Sequence, residues 1–163
     1  MAYVYFNYGV HWMLNVTAHK ESRAAGVLVR AAVPLEGVDT MRERRRALPD
    51  HQLLSGPGKL TQAFAITNAD QGVDLLDLEQ PLHIEAPSQA TPFISGPRVG
   101  IALGKGHETP WRFIDREFVA WASKPVPSRE QFADRRQGKD AGSCAPTSET
   151  AVTDYKLTIP PTA

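Results

Sequence analysis

The residues with the most chemical content lie near the start of the chain: Tyr3, Tyr5, Tyr8, His11 and Asn15, within the run YVYFNYGVHWMLN. Strand alternation places Tyr3 and Tyr5 on one face of an extended segment. Tyr8 has the opposite parity and stands at a turn marked by Gly9. An aromatic ring on a hairpin tip gains nothing from water, and one physical use for it is as a wedge between base pairs in a minor groove. The face below would then offer Tyr5 and His11 as stacking or hydrogen-bonding walls for an extruded base. The plainer reading is a hairpin that packs its aromatics into its own core.

Other candidates each carry two readings. Arg30 sits in an apolar run, where a charge is ordinarily paired with a buried carboxylate; the same guanidinium is also suited to an anionic partner. Gly56-Pro57-Gly58-Lys59 opens a helix, where free backbone N–H groups and the Lys59 charge favour a phosphate. The alternative there is a plain helix start with proline in its first turn. Arg42, Arg44, Arg45 and Arg46 form the one dense basic cluster. Such a run is usually a solvated helix face, with contact to a nucleic-acid backbone as the other reading. His107 and Glu108 are adjacent in a glycine-flanked loop, and neighbours in sequence seldom converge on one substrate, so they read as a connector.

These residues need elements to position them. Residues 2–8 and 11–17 read as two strands of a hairpin, and residues 26–33 (GVLVRAAV) as a third strand, apolar enough to be central. A charged helix is expected over 38–48, stopped by Pro49, and a second over 59–66 with Leu60, Ala63 and Phe64 inward. Residues 70–86 read as loop with a short strand at 82–84. Residues 98–103 and 111–114 read as strands, and residues 118–121 as packing nearby. The sum is an α+β fold, a single domain with a mainly antiparallel curved sheet, a few packed helices and a protruding β-hairpin. Residues 1–123 form that domain. Residues 124–163, rich in proline, serine, threonine and charge, read as a disordered tail.

Composition bounds the function. The chain has 163 residues, 42% hydrophobic and 22% charged, as in soluble globular proteins. No apolar run approaches membrane-spanning length and the start lacks the pattern of a secretory signal, so a cytoplasmic protein with no membrane partner is expected. A single cysteine, Cys144, leaves no internal disulfide and no cysteine-rich zinc site. Eighteen basic residues balance eighteen acidic ones. A nucleic-acid binder is usually basic, so any such surface here must be a local patch in which apolar contact carries much of the binding.

Four segments in order, YVYFNYGVHWMLN, GVLVRAAVPLEGVDTMRERR, LLSGPGKLTQAFAI and RVGIALGKGHETPWRFI, resemble the alkyladenine (3-methyladenine) DNA glycosylases. The likeness runs from Ala2 to about Ile114, and the tyrosine hairpin, VRA-x-x-PLEG and SGP-x-KL are each specific. The resemblance implies an enzyme that flips alkylated purines from damaged double-stranded DNA and hydrolyses the N-glycosidic bond in base excision repair, as a monomer and without metal or cofactor. By position, Tyr8 matches the wedge and Tyr5 the wall stacking on the flipped base, with His11 close by. Asn15 matches the residue whose bulk excludes the 2-amino group of guanine, Arg30 the arginine beside the reacting sugar and its water, and Ile101 the backbone lining the nucleophile's pocket. The resemblance also lends support to the phosphate reading of the helix start at Gly56-Pro57-Gly58-Lys59. Alkylation at N3 or N7 makes the purine a cationic leaving group, which aromatic faces bind, while the sugar develops oxocarbenium character.

The likeness breaks at the front. The family's general base is a glutamate in an E-x-E-A-Y-type segment ahead of the hairpin, and that segment does not occur in this sequence. Glu36 occupies a different position and is not its substitute. The expectation is an N-terminally truncated member, lacking a base that contributes roughly two to four powers of ten in rate. A catalytically inactive DNA-binding fragment is therefore the rival reading, and an unrelated RNA- or protein-binding module with stacking aromatics a third.

Overall fold

The computed structural model describes residues 1–20, 23–86, 92–116 and 156–158. The chain divides into two compact units, the first holding residues 1–87 with 121–123 and 155–163, the second residues 88–120 and 124–154. Among the described residues, no helix is long and apolar enough to cross a membrane.

The first unit is built on a three-stranded antiparallel sheet in the order β1-β2-β3, with β1 Ala2–Asn7, β2 His11–Lys20 and β3 Arg23–Leu28. Alternation along β1 buries Ala2 and Val4 while leaving Tyr3 exposed. Leu14, beside Val4 in the register, joins them in a core with Met41, Leu53, Leu54, Leu60, Phe64 and Leu75. The outer edge of β1 is not left open. Ala2 N–H donates to Val73 O at 2.7 Å, Gly72 N–H to Ala2 O at 3.0 Å, and Val4 N–H to the Gln71 side-chain oxygen at 2.6 Å. These bonds blunt an edge that would otherwise pair with another chain.

Three short helices pack beneath: α1 Val38–Arg44, α2 Asp50–Leu53 and α3 Pro57–Ala63. In α3, proline at the first turn and the spacing of Leu60, Ala63 and Phe64 give a start and one apolar face. Thr61 turns the helix into a fixed support for the hairpin, its hydroxyl donating to Trp12 O on β2 at 2.7 Å. A 3-10 turn at Asn68–Asp70, with Thr67 and Asp70 in a reciprocal capping box, leads to β4 His83–Glu85.

The second unit holds one described antiparallel pair, β5 Phe93–Gly96 with β6 Arg112–Asp115. The last described strand, β7 Lys156–Thr158, pairs antiparallel with β4 in the first unit. Its three residues fall within the stretch expected to be a tail. The rest of that stretch, with Cys144, lies outside the described residues, as do residues 118–121.

The mixed α+β character with antiparallel sheets and few helices is as expected, while several elements differ in detail. The third strand is an edge rather than a central strand among the described residues: it ends at Leu28, and residues 24–28 are exposed. Its apolar run serves two purposes. Val29 N–H still donates to Leu14 O at 3.0 Å, after which the chain leaves the sheet and Ala32 N–H reaches Leu54 O at 3.3 Å. Helix α1 stops at Arg44 rather than 48 because Arg46 and Ala47 turn left-handed, at φ 58° and 54°. Residues 98–103 form no strand, since Gly100, at φ 79°, turns the chain, and the partner of β6 is Phe93–Gly96 instead.

Candidate functional site

The hairpin register places the candidates. Tyr3 pairs with Asn15, Tyr5 with Met13 and Asn7 with His11. Residues paired in this way share a sheet face, and diagonal neighbours lie within reach. Tyr5 therefore has Met13 directly opposite and His11 and Asn15 on its two diagonals. Tyr3 and Tyr5 stack along β1 with centroids 5.5 Å apart and planes at 28°. Asn15 is buried, and its side-chain amide donates to Tyr3 O at 3.3 Å, which holds the side chain toward β1. The opposite face is that of Val4 and Leu14, so the core lies behind the candidate surface.

The tip is built differently. Val10 N–H donates to Asn7 O at 3.0 Å, closing a turn whose two central residues, Tyr8 and Gly9, have φ 50° and 67°. Positive φ at both positions is the type I′ arrangement, which suits the right-handed twist of the strands and favours Asn-Gly. Gly9 meets that requirement. Tyr8 does not, because a bulky side chain in the left-handed region costs roughly 1–2 kcal/mol. The residue is nonetheless 93% exposed, so burial offsets almost none of that cost. Below the tip, Phe6 and Trp12 face each other across the strands at 4.8 Å, on the core side. This pair stiffens the base of the projection.

His11 is exposed but not free on every side. Its Cβ and ring lie against the backbone of Gly58 at the start of α3. The sequence marks Gly58 only as part of a helix start; its contact with His11 depends on how α3 docks on β2. Lys59, next in α3, donates to the Ser55 hydroxyl at 3.0 Å, so its ammonium is held at the helix start.

Arg30 follows β3 directly. Val29 packs on the core and Leu28, paired with Asn15, ends β3; Arg30 lies where the chain is leaving the sheet, so the ladder itself does not fix the face it takes. The guanidinium is half-buried, and desolvation lowers its pKa from the usual arginine value. Among the described residues it makes no ion pair with a carboxylate, so the paired-core reading of this arginine is not what they show.

The basic cluster is tied into the fold. Arg42 holds Asp39 at 2.6 Å and Asp50 at 2.8 Å, and these hydrogen-bonded carboxylates raise its pKa. Arg44 donates to Ala63 O at 3.1 Å, satisfying a carbonyl in the last turn of α3. Arg45 donates to the Gln62 side chain at 2.5 Å, and burial lowers its pKa. Arg46 alone of the four is exposed, and its backbone N–H reaches Glu43 O at 3.4 Å.

Ile101 lies in the second unit, half-buried in the loop between β5 and β6. There Arg98 donates to Lys105 O and Gly106 O, at 3.0 and 3.1 Å, and lies 5.2 Å over the Trp111 ring. His107 Nδ1 accepts from Gly104 N–H, so this histidine and Glu108 brace a turn, in keeping with a connector.

Residues 1–118 match the family model described as "Methylpurine-DNA glycosylase (MPG)". A Rhodopseudomonas palustris protein (strain ATCC BAA-98 / CGA009) is 43% identical over 128 residues, covering 77% of this chain and 59% of the relative. One from Nitrosospira multiformis is 40% identical over 112 residues, 69% of this chain and 56% of the relative. A third, from Chlorobaculum parvum, is 43% identical over 111 residues, 68% and 52% respectively. Each carries the name "Putative 3-methyladenine DNA glycosylase". The chain thus spans a little over half the length of these relatives, and it belongs to the methylpurine-DNA glycosylase family.

Proposed function

We propose that the chain acts on damaged double-stranded DNA as a purine-specific glycosylase, with the β1–β2 hairpin as its base-flipping element. The observation that carries this reading is Tyr8: an exposed ring held in a left-handed turn on a braced projection. A fold seeking stability alone would place asparagine there. A wedge that fills the space of an extruded nucleotide needs this large flat side chain outside the core.

The other roles rest on the family resemblance, and the chemistry available at each position supports them. Tyr5 supplies a face for the extruded purine, and its quadrupole favours an alkylated, cationic ring over a neutral one. Asn15, pinned to Tyr3, forms a rigid floor against which an exocyclic 2-amino group collides. Arg30 brings a desolvated cation, whose cost an anionic phosphate beside the lesion offsets. Lys59 offers a second cation near the hairpin support. Cleavage then breaks the bond between C1′ and the purine nitrogen. Water supplies hydroxide to the sugar; its second proton goes to solvent when a cationic alkylated purine leaves as the neutral base, or to the base when a neutral purine leaves, giving free purine and an abasic site.

The test is excision from duplex DNA containing 3-methyladenine or hypoxanthine, beside affinity for an abasic duplex. Base release with an intact sugar-phosphate strand is expected, and Tyr8→Ala should lower affinity for the abasic duplex about tenfold or more. Abasic-duplex binding without base release would confine the chain to recognition. Equal affinity of wild type and Tyr8→Ala would end the wedge assignment.

A further inference from the structure

We infer that Gly58 is the positioning residue for His11, and that its missing side chain sets where the imidazole stands beside an extruded purine. This rests on the proposed reading of the hairpin face. A Cβ built on Gly58 falls 2.7 Å from His11 Cγ, 2.8 Å from Cβ and 3.0 Å from Cδ2. Two of these distances are shorter than carbon atoms tolerate. The atoms met belong to the root of the histidine rather than to the far end of a flexible chain, so a small rotation does not relieve them.

Retreat of the helix is also blocked. The Thr61 hydroxyl, one turn along α3, donates to Trp12 O at 2.7 Å, and Trp12 is the residue after His11. Leu60 and Ala63 anchor the same helix in the core. A methyl group at position 58 therefore pushes the root of His11 away from α3 and turns the imidazole with it. Because His11 is diagonal to Tyr5 on the same face, that turn changes the wall offered to a base stacked on Tyr5. The glycine is not required by its own backbone, since no left-handed φ is recorded there. Space for the histidine is the reason for it.

The test begins without DNA. In nuclear magnetic resonance spectra of the free protein, Gly58→Ala should shift the His11 ring resonances and abolish their cross-peaks to α3, while those between Thr61 and Trp12 persist. Unmoved His11 signals would overturn the proposal whatever the DNA results. With an abasic duplex, Gly58→Ala and His11→Ala should each weaken binding about tenfold, and the double variant no more than His11→Ala. Losses that multiply in the double variant would show two independent effects and also overturn it. If Tyr8→Ala and His11→Ala both leave DNA binding intact, the DNA reading fails while the spectra still decide the role of Gly58. Should Gly58→Ala not fold, adding His11→Gly removes every clashing atom and should restore the fold. Failure of that rescue would count against the proposal.

Discussion

The hairpin tip and the arginine-rich helix α1 both look from sequence like places to hold DNA, and the structure separates them. On α1, Arg42 is spent on two aspartates, Arg44 on a carbonyl of α3 and Arg45 on Gln62. Their charges join helix to helix. At the tip, Tyr8 makes no comparable contribution: it is exposed, and its backbone is in a region a bulky residue avoids. Three of the four arginines explain themselves through the fold, and the tyrosine does not. For a chain whose net charge is zero, this favours binding by insertion over binding by a broad basic face.

The largest effect should come from Tyr8→Asn. Asparagine suits the left-handed turn that Tyr8 occupies under strain, so the fold should gain about 0.5–1 kcal/mol in denaturant unfolding. Affinity for an abasic duplex should fall by about ten- to a hundredfold, the worth of one inserted or stacked aromatic. Opposite signs in stability and binding mark a residue kept for function. A variant both less stable and equally tight in binding would erase the contrast with α1.

Arg30 tests whether a single desolvated cation does what the cluster does not. Arg30→Gln should weaken binding and make the dependence of log affinity on log salt shallower by about one. Arg44→Ala should leave that slope alone. Instead it should cost about 1–2 kcal/mol of stability, because a charged hydrogen bond to the α3 carbonyl is lost. If Arg44→Ala changes the salt slope and Arg30→Gln does not, the two regions have been assigned the wrong way round.

Much of this was legible in the sequence for local reasons. The hairpin follows from the aromatic, β-branched run broken at Tyr8-Gly9, and its register then brings Tyr5, His11 and Asn15 onto one face. The second helix follows from proline at its start and the spacing of Leu60 and Phe64. What escaped depends on distant partners. Residues 26–33 look like a central strand because they are apolar apart from Arg30. Yet the later part of that run serves contacts with Leu14 and Leu54 outside the β2–β3 ladder. The true partner of β6 begins at Phe93, hidden because the apolar alternation of residues 98–103 is interrupted by a left-handed Gly100. The tie between Gly58 and His11 spans 47 positions and has no local signature. Nor does the arginine cluster announce its partners, since Asp50, Gln62 and Ala63 all lie outside α1.

The smallest effect should be that of Arg42→Ala, and it sharpens the comparison from the other side. Arg42 is the most heavily paired residue of the cluster, but its partners are solvent-accessible, so screening and side-chain entropy reduce what the pairs contribute. Unfolding measured at low salt should show a modest loss, and at about 1 M salt, where the Debye length falls to about 3 Å, the difference should shrink toward nothing. DNA affinity should match wild type at every salt concentration. The raised pKa keeps Arg42 protonated across the working range, so neither result should vary between neutral and mildly alkaline pH. A loss of DNA affinity confined to low salt would instead place Arg42 in the field of the phosphates, and α1 would then share the binding surface with the hairpin.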